Sequence, residues 1–99
     1  MNSKKPRFAL GECLATPGAI EAMNASAQSA TDFLKRHAKG DWGDLSEEDR
    51  ELNELALQDG SRLLSAYKTL KGVKLWVITE AVGDDGHRAA TTILLPEEY

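Results

Sequence analysis

Cysteine is nearly absent from this chain: Cys13 stands alone among 99 residues. An internal disulfide is excluded, and a reducing compartment suits the sequence. Histidine is almost as scarce, and His37 and His87 sit in unrelated settings. That is too few soft donors for a zinc cluster. Long apolar runs are missing as well, so no segment approaches bilayer-spanning length. The basic N-terminus has no apolar stretch behind it, so no secretory signal is expected. Basic charge is in deficit, with 12 Lys and Arg against 16 Asp and Glu and a net charge of −4. This balance, with an isoelectric point near 5.1, argues against a surface built to neutralise phosphates. The expectation is a cytoplasmic domain with no membrane association, no metal and no cofactor.

Acid is present in excess, and it is concentrated. From residue 40 to 60, Asp41, Asp44, Glu47, Glu48, Asp49, Glu51, Glu54 and Asp59 face a single base, Arg50, for a local net charge of −7. At its start, Gly40-Asp41-Trp42-Gly43-Asp44-Leu45 sets an aromatic between glycines and aspartates. Two readings are open. Trp42 plugs a core, with Asp41 and Asp44 closing Asx turns and the glycines permitting a tight bend. Alternatively, Trp42 is the anchor of a partner contact, ringed by acids that steer a basic surface toward it.

The pattern around this segment predicts one domain over residues 7–99 behind a flexible N-terminus at 1–6. Apolar alternation at Phe8, Leu10 and Leu14 predicts a strand over 7–14, with Cys13 as a small buried hydrophobe and Gly11 as a bulge or a close backbone approach. Thr16-Pro17 starts a helix with Ile20, Met23 and Ala27 on one face. Ser29 with Asp32 starts a second, carrying Phe33, Leu34 and His37 and ending at Gly40. Ser46 with Asp49 starts a third, with Leu45, Leu52, Leu55 and Ala56 as its buried stripe and Asp59-Gly60 as its end.

The period then changes to two. Strands are expected over 62–67, 73–82 and 88–95, separated by turns at Lys71-Gly72 and at 83–86. The result is an α+β fold, β-α-α-α-β-β-β, with a three-stranded antiparallel meander packed on helices. The N-terminal strand joins an edge that the sequence does not specify. On the central strand Leu75, Val77 and Thr79 point one way, and Trp76, Ile78 and Glu80 the other. The helices cover one of these apolar faces. The second calls for the N-terminal segment, the C-terminal tail or a second copy in a homodimer.

The 40–45 run, Glu48-Asp49, Asn53-Glu54, Trp76-Val77-Ile78-Thr79-Glu80, and Thr91-Thr92 with Leu94-Leu95-Pro96-Glu97-Glu98-Tyr99 together carry a resemblance. They resemble a family of small uncharacterised bacterial proteins found on plasmids and integrated mobile elements, labelled "plasmid-related protein" or type I restriction–modification subunit M. The resemblance runs from about Leu10 onward and departs from the family pattern at the turn from Val82 to His87, which is longer and richer in glycine. It implies a mobile-element setting and no defined activity. A methyltransferase subunit needs a glycine-rich cofactor loop within a βαβ sheet, and this chain has neither the loop nor the length.

Candidate chemistry is sparse. Counted from Asp41, a calcium loop of EF-hand type fails at Gly43, Leu45 and Leu52; only a weak carboxylate site at Asp41 and Asp44 survives. Glu80 is the best candidate for general acid–base work, with Arg88 beside it, or else it ion-pairs with Arg62 or Arg88. His37 in the last turn of a helix reads as a cap, and His87 as a solvated turn residue. Lys35, Arg36, His37 and Lys39 on the second helix offer a DNA contact of helix-turn-helix type, or a plain solvated basic face. The meander with Arg62, Tyr67, His87 and Arg88 resembles in topology the sheet of small RelE/ParE-like toxins, some of which cleave messenger RNA. The acidic balance weighs against nucleic acid in both cases.

The function these observations favour is a non-enzymatic protein-interaction module of a mobile element. Its acidic segment 41–54 would bind an unidentified protein partner through Asp41, Trp42, Asp44, Glu47, Glu48 and Glu51. A related variant is an acidic helix that mimics DNA. The alternatives are a small toxin-like or RNA-acting enzyme using Glu80 and Arg88 on the C-terminal sheet, and a DNA-binding accessory protein.

Overall fold

The computed structural model describes residues 5–99. Most of the expected flexible N-terminus thus lies outside the described residues; Lys5 and Pro6 are exposed and belong to no element. The elements run β1 (Glu12–Ala15), α1 (Pro17–Ala25), α2 (Ala30–Ala38), α3 (Glu47–Asp59), β2 (Leu63–Lys68), β3 (Lys74–Thr79) and β4 (Ala90–Leu94), then a single 3-10 turn at Pro96–Glu98. None of these helices is long and apolar enough to cross a membrane.

The helices start where their caps dictate. Thr16 Oγ1 accepts from Ala19 N–H at 3.2 Å and Pro17 opens α1. Asp32 accepts from Ser29 N–H at 3.1 Å at the head of α2. Ser46 Oγ accepts from Asp49 N–H at 3.2 Å at the head of α3. Glu47, Glu48 and Asp49 fill the first turn of α3, where the helix dipole favours negative charge. Gly60, at φ +83°, ends α3 in the left-handed conformation and returns its N–H to Ala56 O at 2.9 Å.

The sheet has four strands in the order β1-β4-β3-β2. β2, β3 and β4 form the expected antiparallel meander with β3 central. The N-terminal strand settles against β4 and runs parallel to it, so the sheet is mixed. That strand is also shorter than alternation predicts. Gly11 turns at φ +67°, and a Cβ there would lie 2.4 Å from Arg88 O, so the strand begins only at Glu12. Residues 7–11 form a strap instead. Arg7 N–H bonds Ala38 O at 2.7 Å, and Phe8 turns inward onto His37 and Trp42, with ring centroids 5.1 and 6.2 Å away. Cys13, expected inside, is exposed.

One sheet face carries Leu63, Ser65, Tyr67, Leu75, Val77, Thr79, Thr91 and Ile93, none more than 2% exposed. Ala19, Ala22 and Met23 of α1 and Phe33 of α2 pack on this face, whereas Ile20 and Ala27, expected on the buried face of α1, are exposed. On the opposite face Ala66, Ile78 and Leu94 are also buried, and they are not part of the cluster formed with α1 and α2. The C-terminal tail is the cover, one of the three the sequence allows. Gly18 N–H donates to Glu98 Oε2 at 3.1 Å, tying the tail to the start of α1. Tyr99 then lies edge-on to Trp76 at 5.8 Å, with the Arg62 guanidinium 5.5 Å from the Tyr99 ring centre.

α3 departs most from its pattern. Leu52 and Leu55, expected in the buried stripe, are 61% and 57% exposed, while Asn53 and Ala56 are buried. Asn53 is the cause. Its Oδ1 accepts from Leu64 N–H at 3.1 Å and its Nδ2 donates to Leu64 O at 2.7 Å. This pairing satisfies the outer backbone groups of an edge strand and sets the rotation of the helix, turning the leucines outward. The 42–44 loop continues the cover, with Ala66 N–H on Trp42 O at 3.1 Å and Asp44 N–H on Ala66 O at 2.7 Å.

Candidate functional site

The acidic segment divides into a structural part and a free part. Trp42, 3% exposed, sits among Ala56, Leu63 and Phe8, and its indole N–H donates to Glu54 Oε2 at 3.1 Å. The partner-anchor reading of Trp42 is thereby corrected: the ring is not on the surface. Glu54 also takes a two-pronged contact from Arg7, at 3.0 and 2.8 Å. The Arg7 guanidinium, then the indole N–H, hold the Glu54 carboxyl below its usual range. Asp41 pairs with Arg36 at 2.7 Å and accepts from Gly43 N–H at 3.2 Å, closing an Asx turn. Arg36 lowers the Asp41 pKa. Both acids hold the loop and strap in place.

Arg50, the one base of the segment, does not neutralise it. Its guanidinium donates to Gly43 O at 2.7 Å and Leu45 O at 3.2 Å, both carbonyls. Among the described residues the ion pairs are Arg7–Glu54 and Arg36–Asp41. Among the described residues, Asp44, Glu47, Glu48, Asp49 and Glu51 are exposed and form no ion pair.

Beside these acids lie Leu52 and Leu55. Glu48, Asp49, Glu51, Leu52 and Leu55 line an open crevice of about 400 Å³. A second crevice shares Asp49 and Leu52 with it and adds Leu45, Asn53, Arg62 and Leu64. A third shares Arg62 and reaches Ile78, Glu80, Thr92, Leu94 and Tyr99. The shared residues join α3 to the tail-covered sheet face in one run, acidic at α3 and apolar along its floor. Three partner residues expected from sequence, Glu47, Glu48 and Glu51, stand on α3 beside this run, and Asp44 lies in the loop before it. Leu52 and Leu55 were missed, because helical periodicity assigned them inward. The signal that points to them is Asn53, a polar residue at the centre of the helix next to a strand edge that needs a partner.

The residues considered for catalysis do not converge. Glu80 is exposed in the third crevice beside Arg62, and neither arginine meets its carboxylate. Arg88 is corrected from a surface candidate to a buried clamp. It donates to Ser61 O at 2.7 Å, Glu80 O at 3.0 Å and Ala56 O at 3.1 Å, fastening the end of α3 to the strand ends. Burial lowers its pKa. Tyr67 lies on the helix-covered face, its hydroxyl donating to Asp41 O at 2.5 Å, and burial pushes its pKa up to about 12. His87 is exposed on the turn before β4.

His37 is not the helix cap that its position implies. It is fully buried, with Nδ1 2.5 Å from Ser65 Oγ and Nε2 2.9 Å from Thr79 Oγ1. The donors order themselves along this chain. Thr91 donates to Leu10 O at 2.7 Å, so Thr79 donates to Thr91 at 2.6 Å. Thr79 then accepts from Nε2–H, and Ser65 donates to Nδ1. Burial, reinforced by the Arg88 charge, pushes the His37 pKa down to about 4. A serine–histidine contact has the composition of a nucleophile and its base, but both residues are sealed beneath Phe8 and Trp42, out of reach of substrate. Its role is to satisfy polar groups inside the core.

On α2, Arg36 is committed to Asp41 and to the Tyr67 ring, 4.4 Å from its centre. Lys35 and Lys39, which form no ion pair among the described residues, line a crevice with Pro6, Leu10, Leu34 and Ala38. No family model, curated protein or solved structure matches the chain.

Proposed function

We propose that this protein is a non-enzymatic docking module that binds a basic, amphipathic protein surface through the outer face of α3, in the service of a mobile element. Glu47, Glu48 and Glu51 steer the partner, and Leu52 and Leu55 supply the apolar contact. Asp41, Trp42 and Glu54 act indirectly, by fixing α3 against the β2 edge. The observation that carries the reading is the pair of leucines more than half exposed on α3, flanked by acids that form no ion pair among the described residues. Single exposed leucines are ordinary; these two continue into the crevice floor at Leu45 and Leu64. An apolar patch rimmed by one sign of charge is the form an electrostatically steered interface takes.

The test is capture with tagged chain from the cells that encode it, run in parallel with Glu47→Lys/Glu48→Lys/Glu51→Lys. A stoichiometric basic partner, lost with the triple variant, is the expected result. Association with the purified partner should slow at least about tenfold at low ionic strength and lose its salt dependence. Equal capture by the triple variant, or recovery of nucleic acid in place of protein, refutes the reading.

A further inference from the structure

The two edges of the sheet are treated unequally. At β2 the outward backbone groups of Leu64 and Ala66 are all taken, by Asn53 and by the 42–44 loop. At β1, among the described residues, nothing covers the edge. Its ladder to β4 is parallel, with Glu12 N–H on Ala89 O and Thr16 N–H on Ile93 O, each at 3.0 Å. In a strand the N–H and C=O of one residue point to the same side, and the side alternates along the chain. Cys13 and Ala15 therefore turn both groups outward. Glu12, Cys13 and Leu14 are exposed, Leu14 by 46%. The strand holds no lysine or proline of the kind that guards an edge.

We propose that β1 is a homodimer seam, pairing antiparallel with β1 of a second copy about a two-fold axis through Leu14. In this register Cys13 opposes Ala15 of the second copy, and the two residues exchange both N–H···O bonds. The axis repeats that pair, so every outward donor and acceptor of Cys13 and Ala15 is met on both strands. Leu14 meets its own copy in the close, non-hydrogen-bonded position, with Cα atoms about 4.5 Å apart. Glu12 opposes Thr16, so like charges do not confront each other. A register centred on Cys13 fails, because it sets Ala15 against Gly11, which at φ +67° is not in strand conformation. The contact is isologous and uses up the β1 edge of both copies, while the β2 edge is covered, so the pairing closes as a dimer and does not propagate.

The seam is small, below the roughly 1,200 Å² of a standard stable interface, so the dimer is reversible and concentration-dependent. Two four-stranded sheets join into one, with α3 at the far edge of each copy. The dimer thus offers one acidic face at either end, which strengthens the hold on a target with repeated sites. The seam itself stands independently of the docking role.

Sedimentation equilibrium of the full chain under reducing conditions, from micromolar to millimolar, tests the proposal. The mass should rise from 10.8 kDa toward twice that value. Cys13→Pro removes one outward N–H and nothing from the β4 ladder; it should keep the fold by circular dichroism and lose the dimer. Leu14→Cys in a Cys13→Ala background should link covalently across the axis under mild oxidant. Thr92→Cys in the same background, one strand further in, should not. A mass that stays at 10.8 kDa throughout overturns the proposal. So does a dimer undiminished by Cys13→Pro, or cross-linking by Thr92→Cys as efficient as that by Leu14→Cys. If Cys13→Pro does not fold, the cross-linking comparison decides alone.

Discussion

Lowering the pH from 7.5 to 5 should destabilise this domain through one side chain, His37. In the unfolded chain its imidazole titrates near 6.5, and in the fold burial pushes that value down to about 4. Between those pH values the unfolded state binds a proton that the folded state refuses. Stability is therefore fully present above pH 6.5 and is lost as pH falls toward 4. The full shift corresponds to about 3 kcal/mol, of which about 2 kcal/mol is lost by pH 5. Asp41, Glu54 and Glu98 also have lowered pKa values, but carboxylates of this kind release their stabilisation mainly below about pH 4.5. The interval from 7.5 to 5 thus isolates the histidine. Urea unfolding at pH 7.5, 6 and 5 is the assay. With a slope of about 1–1.5 kcal/mol/M for a domain of this size, the midpoint should fall by more than about 1 M. His37→Gln cannot titrate here; it should be less stable at pH 7.5 and nearly flat over the interval. A wild-type change under about 0.5 kcal/mol, or an equal slope in His37→Gln, refutes the buried, neutral imidazole.

Two substitutions test the cover over the β2 edge. Asn53→Ala deletes both bonds to Leu64 and leaves a donor and an acceptor unpaired, offset slightly by the better helix propensity of alanine. A net loss of about 2–3 kcal/mol is expected in urea unfolding, and a change under about 0.5 kcal/mol would show that α3 is held by other contacts. Gly43→Ala places a Cβ 2.0 Å from Ala66 O at φ +76°, so the loop must leave the strand. It should cost about 3 kcal/mol or more, with Trp42 fluorescence shifting to the red; a variant with native stability and emission would refute the close approach.

The sequence carried the element order and the antiparallel meander because caps and alternation are local signals. Thr16-Pro17, Ser46 and Gly60 each mark an end with a hydrogen bond that the structure contains. It did not carry the place of β1, since choosing an edge depends on long-range contacts such as Thr91 to Leu10; the shortness of β1 comes from the left-handed turn at Gly11, packed close against Arg88 O, which the glycine marked as a bulge or close approach without saying where the strand would begin. His37 was misplaced for a related reason. A histidine in the last helical turn suits the dipole, yet Ser65, Thr79 and Thr91 occupy inward register positions where apolar residues are the rule. A row of small hydroxyls across three core strands needs an acceptor and a donor between them, and His37 is the side chain four residues beyond Phe33 that supplies both. Of the candidate site, the acids were legible as composition. Their division into structural and free members was not, because Arg7 reaches Glu54 from 47 residues away, and the pairing of Arg36 with Asp41 depends on how the chain turns at Gly40 between them.

The inversion of α3 is what ties fold to proposed function. A surface helix ordinarily turns leucine inward and amide outward, since burying a leucine stabilises by about 1.5–3 kcal/mol and burying an unpaired amide costs a comparable amount. Here the amide is inside, paired at both ends with a strand edge, and two leucines are outside. The edge explains the first half: Leu64 N–H and C=O need partners, and an asparagine is shaped to meet both at once. It does not explain the second, because once Asn53 sets the rotation, lysine or glutamine at 52 and 55 would suit water better. The fold therefore gains little from leucine at these positions, each more than half exposed. Leu52 and Leu55 instead continue the apolar floor that begins at Leu45 and Leu64, beneath Glu48, Asp49 and Glu51. Positions where the side chain serves the fold poorly and a continuous surface well are where binding is to be sought.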